Sequence, residues 1–302
     1  MIPEDRRLRR FFSQVLTMDL TDINTIRALL AKNGFRFSKA LGQNFLRDAA
    51  VPPRIAAAAG LGSGTGVLEI GPGVGCLTAE LARRAARVVA VEADTALRPV
   101  LAETLQGFGN VEVLYADVLK LDLCALAAER FAGCAETVVC ANLPYQITGP
   151  VLAALACAGC FSRVTVMVQR EVARRICARE NTSSYGAFSV LMQWYTQPEI
   201  LFDVPPEAFI PAPKVTSSVV RLERRETPPA GVNDEKRMFA LVRAAFNQRR
   251  KTLCNAMMHG LGLGREEAEA ALAAAGLDAR VRGEALSIAE FAALSDALGR
   301  LG

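Results

Sequence analysis

Residues 66–81 read GVLEIGPGVGCLTAEL, an order of residue types that predicts a buried strand turning directly into a helix. The run GVLEIG has the apolar composition of a strand, and the stretch CLTAELARRA that follows has helical spacing. The turn between them holds three glycines, Gly71, Gly73 and Gly75. Glycine leaves the backbone bare, so a ligand could approach it closely. The GxGxG spacing differs from the GxGxxG of dinucleotide-binding turns, and on its own it also fits an ordinary strand-to-helix turn.

The same alternation of strand and helix continues along the chain. Further strands are predicted at RVVAVEA (87–93), VEVLYAD (111–117), ETVVCAN (136–142) and RVTVMVQ (163–169). Helical patterns follow three of them, namely TALRPVLAETLQ, TGPVLAALAC and EVARRICAR. This alternation predicts an α/β fold with a parallel sheet covered by helices on both faces. The later segment KVTSSVVRLERR (214–225) alternates like a strand without a helix close before it, which predicts an antiparallel addition.

Changes in composition predict three parts of the chain. Residues 1–20 carry several arginines and predict an N-terminal extension that is poorly ordered or a frayed helix. The segment TPPAGVN (227–233) contains proline and glycine and predicts a linker. Every pattern beyond it is helical, including the continuous stretch DEKRMFALVRAAFNQRRKTLCNAMM. We therefore expect an α/β domain over residues 21–227 and a smaller helical domain over residues 228–302.

The composition indicates a globular protein with a substantial core, since 51% of the 302 residues are hydrophobic. The net charge is only +4, but residues 236–251 contain several lysines and arginines and no acid, a stripe suited to polyanions. The N-terminus lacks the apolar segment of a secretory signal, and no run of about 18 apolar residues occurs. We therefore expect a cytoplasmic protein that does not span a membrane.

The eight cysteines do not predict a disulfide framework in a chain of this length without a secretory signal. Cys157 and Cys160 form one CxxC pair, which is interpreted as two small buried residues on a helix rather than a metal or redox site. No second CxxC occurs, and His259 is the single histidine. We therefore expect neither a metal site nor histidine-based catalysis.

Acidic side chains end the two predicted strands that follow the glycine turn. Glu92 ends the second strand, where a carboxylate can accept hydrogen bonds from ribose hydroxyls. Asp117 ends the third, where an acid can accept from the exocyclic amine of adenine. Together with the glycine turn, these acids predict a nucleotide cofactor. NAD and S-adenosylmethionine both remain candidates, and the missing third glycine of the dinucleotide pattern favours S-adenosylmethionine.

The fourth strand ends in NLPYQIT (142–148). The side-chain oxygen of Asn142 and the carbonyl of Leu143 can both accept hydrogen bonds from an amino group. Pro144 fixes the local backbone and has no N–H of its own, and Tyr145 offers a flat face on which a base can stack. These features would hold an exocyclic amine close to a methyl donor; the structural alternative is a turn with a packed tyrosine.

Six stretches in this order resemble the KsgA (RsmA) family of small-subunit ribosomal RNA adenine dimethyltransferases. They are LGQNFL (41–46), LEIGPGVGCLT (68–78), NLPYQIT (142–148), YGAFSVLMQWY (185–195), VPPEAFIPAPKVTSSVVRL (204–222) and AFNQRRKTL (245–253). The resemblance implies a Rossmann-like S-adenosylmethionine-dependent methyltransferase domain with a smaller helical domain. It also implies N6,N6-dimethylation of two adjacent adenosines in the 3′-terminal hairpin loop of 16S rRNA, within the 30S subunit or its precursor.

The resemblance also assigns residues. Cofactor contacts are expected at Gln43, Asn44, Leu46, Gly71, Gly73, Glu92, Asp117 and Asn142. The target-base site is expected at Asn142, Leu143, Pro144 and Tyr145, with Phe209 as a second stacking face. The segment FNQRRKT suits RNA phosphates, so RNA contacts are expected at Arg249, Arg250, Lys251 and Lys214. Cys76 is not expected to act as a nucleophile, and Gln146 stands where the family often has asparagine.

Three alternatives remain open. An Erm-type enzyme acting on 23S rRNA would share the cofactor strands and an NLPY-like motif, but the combination of PPEAFIPAPKVTSS with AFNQRRKT favours the small-subunit enzyme. A DNA adenine methyltransferase is disfavoured because no separate recognition domain is evident. A non-catalytic RNA-binding assembly factor is disfavoured because the cofactor positions and Asn142 are intact. A monomer is the default expectation.

Overall fold

The structure is a computed structural model that describes residues 18–35 and 43–301. Most of the predicted N-terminal extension therefore lies outside the described residues, as do Leu41 and Gly42 of the LGQNFL stretch. The strands in chain order are β1 (Phe45–Leu46), β2 (Thr65–Ile70), β3 (Arg87–Glu92), β4 (Val111–Tyr115), β5 (Glu136–Asn142), β6 (Arg163–Gln169), β7 (Thr196–Val204), β8 (Phe209–Ile210) and β9 (Ser217–Arg224).

The helices in chain order are α1 (Ile23–Lys32), α2 (Val51–Ala58), α3 (Cys76–Ala82), α4 (Arg98–Leu105), α5 (Leu123–Arg130), α6 (Thr148–Ala158), α7 (Arg170–Ile176), α8 (Ala187–Tyr195), α9 (Glu235–Asn247), α10 (Leu253–Leu261), α11 (Arg265–Ala274) and α12 (Ile288–Leu301). None of the helices within the described ranges has the length and apolarity that a membrane span requires.

The chain divides into two compact units. The sheet unit comprises the described residues up to Arg170 together with Glu199–Arg224, and the helical unit comprises Glu171–Pro198 and the residues from Arg225 onward. The sequence placed Glu171–Pro198 in the α/β domain and the boundary at 228, so the observed division differs from that expectation. The physical reason is burial, because Tyr185 and Trp194 belong to one hydrophobic core with the helices of the C-terminal region.

The sheet unit is built on a seven-stranded sheet in the order β4-β3-β2-β5-β6-β9-β7. The five strands from β4 to β6 are parallel, which confirms the predicted parallel sheet. The strand β9 runs antiparallel to β6, with Gln169 opposite Ser217, which confirms the predicted antiparallel addition. The chain moves outward from β2 through β3 to β4 and then returns to place β5 on the other side of β2. The carboxyl ends of β2 and β5 are therefore neighbours at the point where the strand order reverses, which is where ligands bind in such sheets.

The strands of the sheet form where apolar runs can be buried on both faces. Every residue of β2 is buried, and the side chains of Val67 and Leu68 are fully enclosed. The helix α1 begins where Asp22 caps it by accepting a hydrogen bond from the backbone N–H of Thr25 (2.7 Å). A further two-stranded pair, β1 with β8, was not predicted from the sequence.

In the helical unit, the continuous helix predicted over residues 234–258 is observed as two helices. The helix α9 ends at Asn247, and α10 begins at Leu253 with the Thr252 hydroxyl as its cap. The basic run therefore lies on a turn, residues 248–252, and not on a helix face. This turn is called the basic turn below.

The CxxC pair also departs from its predicted setting. Cys157 lies on α6 but is exposed, and Cys160 lies beyond the end of that helix and is partly exposed. The helix ends because Gly159 takes a left-handed conformation, with φ at +74°, which glycine adopts without steric cost. The interpretation of the pair as two buried helical residues is therefore wrong.

Candidate functional site

A cavity of about 290 Å³ in the sheet unit opens at the carboxyl ends of the parallel strands. Its lining brings together most of the residues predicted to bind a cofactor or a base. The predicted residues that line it are Gln43, Asn44, Leu46, Gly71, Glu92, Asp117, Asn142, Leu143, Pro144 and Tyr145. The sheet topology explains this convergence, because these residues follow the ends of β2, β3, β4 and β5 or lie at β1.

Two predicted residues lie outside the cavity lining. Phe209 is only 2% exposed, because it pairs with Leu46 across β1 and β8 and packs in the core; the structure does not bring it to the base site as a stacking face. Gly73 does not line the cavity, but its backbone N–H opposes the rise in the pKa of the Glu92 carboxyl. A Cβ at Gly73 would lie 3.0 Å from the Phe45 ring, and φ is +61°, so the turn requires glycine there.

The glycine turn after β2 packs against the turn after β5. Gly71 has φ at +72°, and a Cβ at this position would lie 3.4 Å from Cδ of Pro144. The backbone N–H of Gly71 donates to the carbonyl of Val91 (2.9 Å), which ties the same turn to β3. The two motifs that the sequence singled out separately therefore form adjoining walls of one cavity.

Glu92 is held at the tip of β3 by backbone hydrogen bonds. Its Oε1 accepts from the N–H of Asp94 (2.8 Å), and burial raises the pKa of this carboxyl above its ordinary value. Asp94 in turn accepts a hydrogen bond from Nε2 of Gln43 (2.8 Å). Asp94 thus connects Gln43 to Glu92. This gives a defined orientation to the Glu92 carboxylate, which was predicted to bind ribose.

Asp117 stands at the rim of the cavity, where it caps the short helical turn Val118–Lys120. Its Oδ1 accepts from the backbone N–H of Leu119 (3.1 Å), and its Oδ2 lies 3.8 Å from Nζ of Lys120. The side chain is 44% exposed, so a carboxylate oxygen remains accessible to an amino group that enters the cavity.

The turn formed by residues 142–145 is called the NLPY turn below. Some of its backbone polar groups form hydrogen bonds within the protein, and others do not. The N–H of Leu143 donates to the carbonyl of Met167 (3.1 Å), and the carbonyl of Pro144 accepts from Ile147 N–H (3.2 Å) and the Thr148 hydroxyl (3.1 Å). No described residue donates to the carbonyl of Leu143.

The side chain of Asn142 is oriented by the strand segment that lies beside it. Its Nδ2 donates a hydrogen bond to the carbonyl of Asn44 (3.4 Å), an assignment that follows from the hydrogen-bond partners. With Nδ2 engaged, the side-chain oxygen is an acceptor to which none of the described residues donates. The NLPY turn therefore presents two neighbouring acceptors to the cavity, the Asn142 side-chain oxygen and the Leu143 carbonyl.

Tyr145 lines the cavity and is fixed at its far end. Its hydroxyl lies 2.7 Å from Oγ of Ser217, the first residue of β9. Burial raises the pKa of the phenol, so it remains neutral at physiological pH. A neutral, anchored ring suits stacking and not proton abstraction.

Glu69 is a cavity residue that the sequence reasoning did not select. It lies on β2, is 1% exposed, and its Oε2 has no hydrogen-bond partner among the described residues. Burial is the main cause that raises its pKa to about 8; the Thr78 hydroxyl opposes the rise and the Glu92 charge adds to it. The sequence contained one sign of this residue, a single acid within the apolar run VLEI. An acid buried on a strand is rare without a partner, so its position there could have indicated a functional role.

Cys76 also lines the cavity, and burial raises the pKa of its thiol to about 12. A thiol with such a pKa holds its proton at neutral pH. Within residues 18–35 and 43–301, no three histidine, cysteine, aspartate or glutamate side chains are grouped so that they could hold a metal ion.

Comparison with known proteins identifies relatives along nearly the whole chain. The family model for ribosomal RNA adenine dimethylases matches residues 34–299. A protein of Geobacillus thermodenitrificans named ribosomal RNA small subunit methyltransferase A is 46% identical over 284 residues, which cover 93% of this chain and 97% of the relative. A protein of the same name from Streptococcus gordonii is 45% identical over 285 residues, covering 93% and 98%.

Two solved structures share the fold. The 23S rRNA methyltransferase ErmE superposes with a TM-score of 0.63 at 30% identity and covers 84% of this chain and 99% of its own. A dimethyladenosine transferase from Plasmodium falciparum superposes with a TM-score of 0.66 at 23% identity, covering 83% and 95%. At this identity the second likeness supports the Rossmann-like methyltransferase fold alone.

Proposed function

This chain belongs to the ribosomal RNA adenine dimethylase family, and from that premise we propose that it dimethylates N6 of two adjacent adenosines in the 3′-terminal hairpin loop of 16S rRNA. It is an rRNA methyltransferase that uses S-adenosylmethionine. The observation that carries the proposal is the pair of neighbouring acceptors on the NLPY turn, the Asn142 side-chain oxygen and the Leu143 carbonyl, beside Tyr145. Two acceptors and one aromatic face match the exocyclic amine and the ring of adenine.

The cavity fits S-adenosylmethionine on an observation independent of the family. The cofactor carries two cationic groups, a sulfonium and an ammonium, and the cavity contains the buried acceptor Oε2 of Glu69, which lacks a partner among the described residues. Glu92 and Asp117 would hold the ribose and the adenine of the cofactor, and Asn44 and Leu46 would line its path. The cofactor supplies an electrophilic methyl group when bound.

The residues of this chain then have to orient a weak nucleophile. The lone pair of adenine N6 is delocalised into the ring, so the nitrogen attacks poorly unless it is held and polarised. Hydrogen bonds from N6 to the two acceptors of the NLPY turn favour a pyramidal nitrogen and stabilise its developing positive charge. Stacking on Tyr145 contributes about 1–3 kcal/mol per base. The proton that leaves N6 is acidic after transfer, so no strong base is required.

A loop target agrees with this arrangement, because an adenine in a single-stranded loop can be turned out into a cavity at small energetic cost. We infer that the substrate particle is the 30S subunit or its precursor and that the enzyme acts as a monomer. The relatives named for the small subunit share 45–46% identity with this chain, whereas ErmE shares 30%, which favours the small-subunit substrate over 23S rRNA.

The basic turn and Lys214 are proposed to contact RNA phosphates. Nη2 of Arg249 donates to the carbonyl of Ser183 (3.1 Å) and lies 3.3 Å from Glu284, so this side chain also holds the local structure. Arg250 and Lys251 are exposed and have no ion-pair partner among the described residues. They are therefore the stronger candidates for phosphate contacts, while Lys214 is exposed on the loop before β9.

Methyl transfer to separated subunits tests the proposal. The protein is incubated with labelled S-adenosylmethionine and with small or large subunits that lack the modification. Label is expected in 16S rRNA alone, as dimethyladenosine at two adjacent positions. Label confined to 23S rRNA would favour the ErmE-like activity, and no label on either subunit would favour a non-catalytic RNA-binding factor.

A further inference from the structure

The tyrosine of the proposed base site is held by a residue that lies outside the cavity. Ser217 is fully buried and does not line the cavity, yet its Oγ lies 2.7 Å from the hydroxyl of Tyr145. This is the distance of a full hydrogen bond between hydroxyl groups. Ser217 therefore contacts the far end of the ring that faces the cavity.

The backbone on which Ser217 lies is fixed on both sides. Its Cα is opposite that of Gln169 in the antiparallel pairing of β9 with β6. The preceding residue, Thr216, accepts a hydrogen bond at its carbonyl from the N–H of Arg170 (3.0 Å). Because β6 also pairs with β5, the serine and the strand that carries the NLPY turn belong to one continuous sheet. The anchor is therefore rigid relative to the turn that it holds.

We propose that Ser217 is a positioning residue for methyl transfer, which fixes the position of the Tyr145 ring and thereby the place at which the target adenine stacks. The inference rests on the proposed function, since a stacked adenine gives the ring its role. The hydroxyl oxygen of tyrosine moves when χ1 changes but lies on the axis of χ2, so a hydrogen bond there restrains χ1 and with it the position of the ring. Transfer requires N6 to be aligned with the methyl group, so a shift of the ring misplaces the nucleophile.

The chain offers a matched control in the neighbouring residue. Ser218 is also fully buried on β9 and donates a hydrogen bond, to Oδ1 of Asp203 (2.5 Å). Successive residues of a strand point to opposite faces of the sheet, so Ser218 has the same burial and chemistry but faces away from Tyr145. Replacing Ser218 perturbs the fold to a similar degree without touching the ring.

The kinetic test compares Ser217→Ala, Tyr145→Phe, the double variant and Ser218→Ala in single-turnover methylation of undermethylated small subunits. Ser217→Ala and Tyr145→Phe are each expected to lower the rate about fivefold, the equivalent of one neutral hydrogen bond, and the double variant no further. The pH–rate profile and the Kd for S-adenosylmethionine are expected to stay unchanged. Ser218→Ala should keep a rate within about twofold of the wild type, although it loses a hydrogen bond to a carboxylate.

A second readout does not depend on activity. With fluorotyrosine introduced at position 145, fluorine NMR is expected to give one resonance in the wild type and in Ser218→Ala. Ser217→Ala is expected to give two resonances or an exchange-broadened one, because the ring is released. A single sharp resonance in Ser217→Ala, additive losses in the double variant, or an equal loss of rate in Ser218→Ala would overturn the positioning role. Absence of 16S methylation by the wild type would instead refute the proposed function, and the NMR comparison would still decide whether Ser217 fixes the ring.

Discussion

The NLPY turn and the basic turn contrast two ways of presenting polar groups to a ligand. In the NLPY turn, the Leu143 N–H and the Pro144 carbonyl are hydrogen-bonded within the fold. These bonds fix the turn and thereby orient its two remaining acceptors, the Asn142 side-chain oxygen and the Leu143 carbonyl. In the basic turn, Arg249 is engaged by its neighbours while Arg250 and Lys251 extend into solvent. The first arrangement controls the position of single atoms, and the second provides charge with little geometric constraint. Changes in the first should therefore have large effects at all salt concentrations, and changes in the second small, salt-dependent effects.

The largest expected effect concerns the buried carboxyl of the cavity. Burial raises the pKa of Glu69 to about 8 from an ordinary 4.5, so in the cofactor-free folded protein the carboxyl stays protonated below about pH 8 while the unfolded chain ionises. The stability linked to it is complete below about pH 4.5 and is lost as pH rises toward 8, at about 1.4 kcal/mol per pH unit and about 5 kcal/mol in all. Glutamine does not ionise, so the Glu69→Gln variant should not lose this stability. The difference in unfolding free energy between the variant and the wild type should therefore grow in favour of the variant from pH 5 to 8.

Urea denaturation of the cofactor-free protein at several pH values measures this difference. Glu207→Gln is the matched control, because it makes the same substitution at an exposed glutamate of the same unit. Parallel pH dependence of the wild type and Glu69→Gln would contradict the assignment of a protonated buried carboxyl.

The next effect in size concerns the amide at the tip of β5. Asn142→Ala removes one of the two acceptors for N6, and the loss of a preorganised group at a reacting atom costs about 2.7–4 kcal/mol, or about 100- to 1,000-fold in kcat. The Kd for S-adenosylmethionine, measured by calorimetry, should change little because the remaining cofactor contacts persist. The measurement is methyl transfer to undermethylated small subunits at saturating cofactor.

Asn110→Ala provides the control for this change. Asn110 has the same side chain in the same unit, and its Nδ2 donates to the carbonyls of Ala82 (2.9 Å) and Ala85 (3.0 Å). Its replacement should lower the Tm and leave kcat nearly unchanged. Undiminished turnover in Asn142→Ala would remove this residue from the mechanism.

The smallest effect is expected at the basic turn. Arg250→Ala and Lys251→Ala should each weaken binding of small subunits by up to about tenfold at low salt and reduce the slope of log Kd against log salt by about one. The kcat at saturating substrate should stay constant. Arg243→Ala removes an equal charge from an exposed position on α9. An equal loss in that variant would show that net charge matters and that the position of the turn does not.

The parallel strands and most of the cavity could be predicted from the sequence. The parallel strands were predictable because apolar runs such as ETVVCAN and RVTVMVQ can only be buried on both faces, and both appear with the predicted bounds. The convergence of Glu92, Asp117 and Asn142 followed from the rule that strand tips of a parallel sheet share an edge. Local pattern and topology together were sufficient for most of the cavity.

Other features depend on contacts that no local pattern records. Ser217 looks like any alternating strand residue, and only the pairing of β9 with β6 brings it to Tyr145. Phe209 stands in a motif that suggested a stacking role, but its pairing opposite Leu46 buries it. The break between α9 and α10 went unseen because FNQRRKT has no proline or glycine, and the Thr252 cap at its end was read as a helical residue.

The insertion of Glu171–Pro198 between two strands of one sheet has a consequence for synthesis on the ribosome. Residues 163–169 pair with residues 217–223, and the sheet unit extends to Arg224, so this unit cannot be completed until the chain has emerged that far. In the interval, Tyr185 and Trp194 have left the tunnel without the later helices that bury them. A fragment cut at residue 227 would hold the chain in that state, with a finished catalytic half and an uncovered apolar segment. Dissection of this enzyme into separately expressed domains therefore has to move both pieces of the helical unit together.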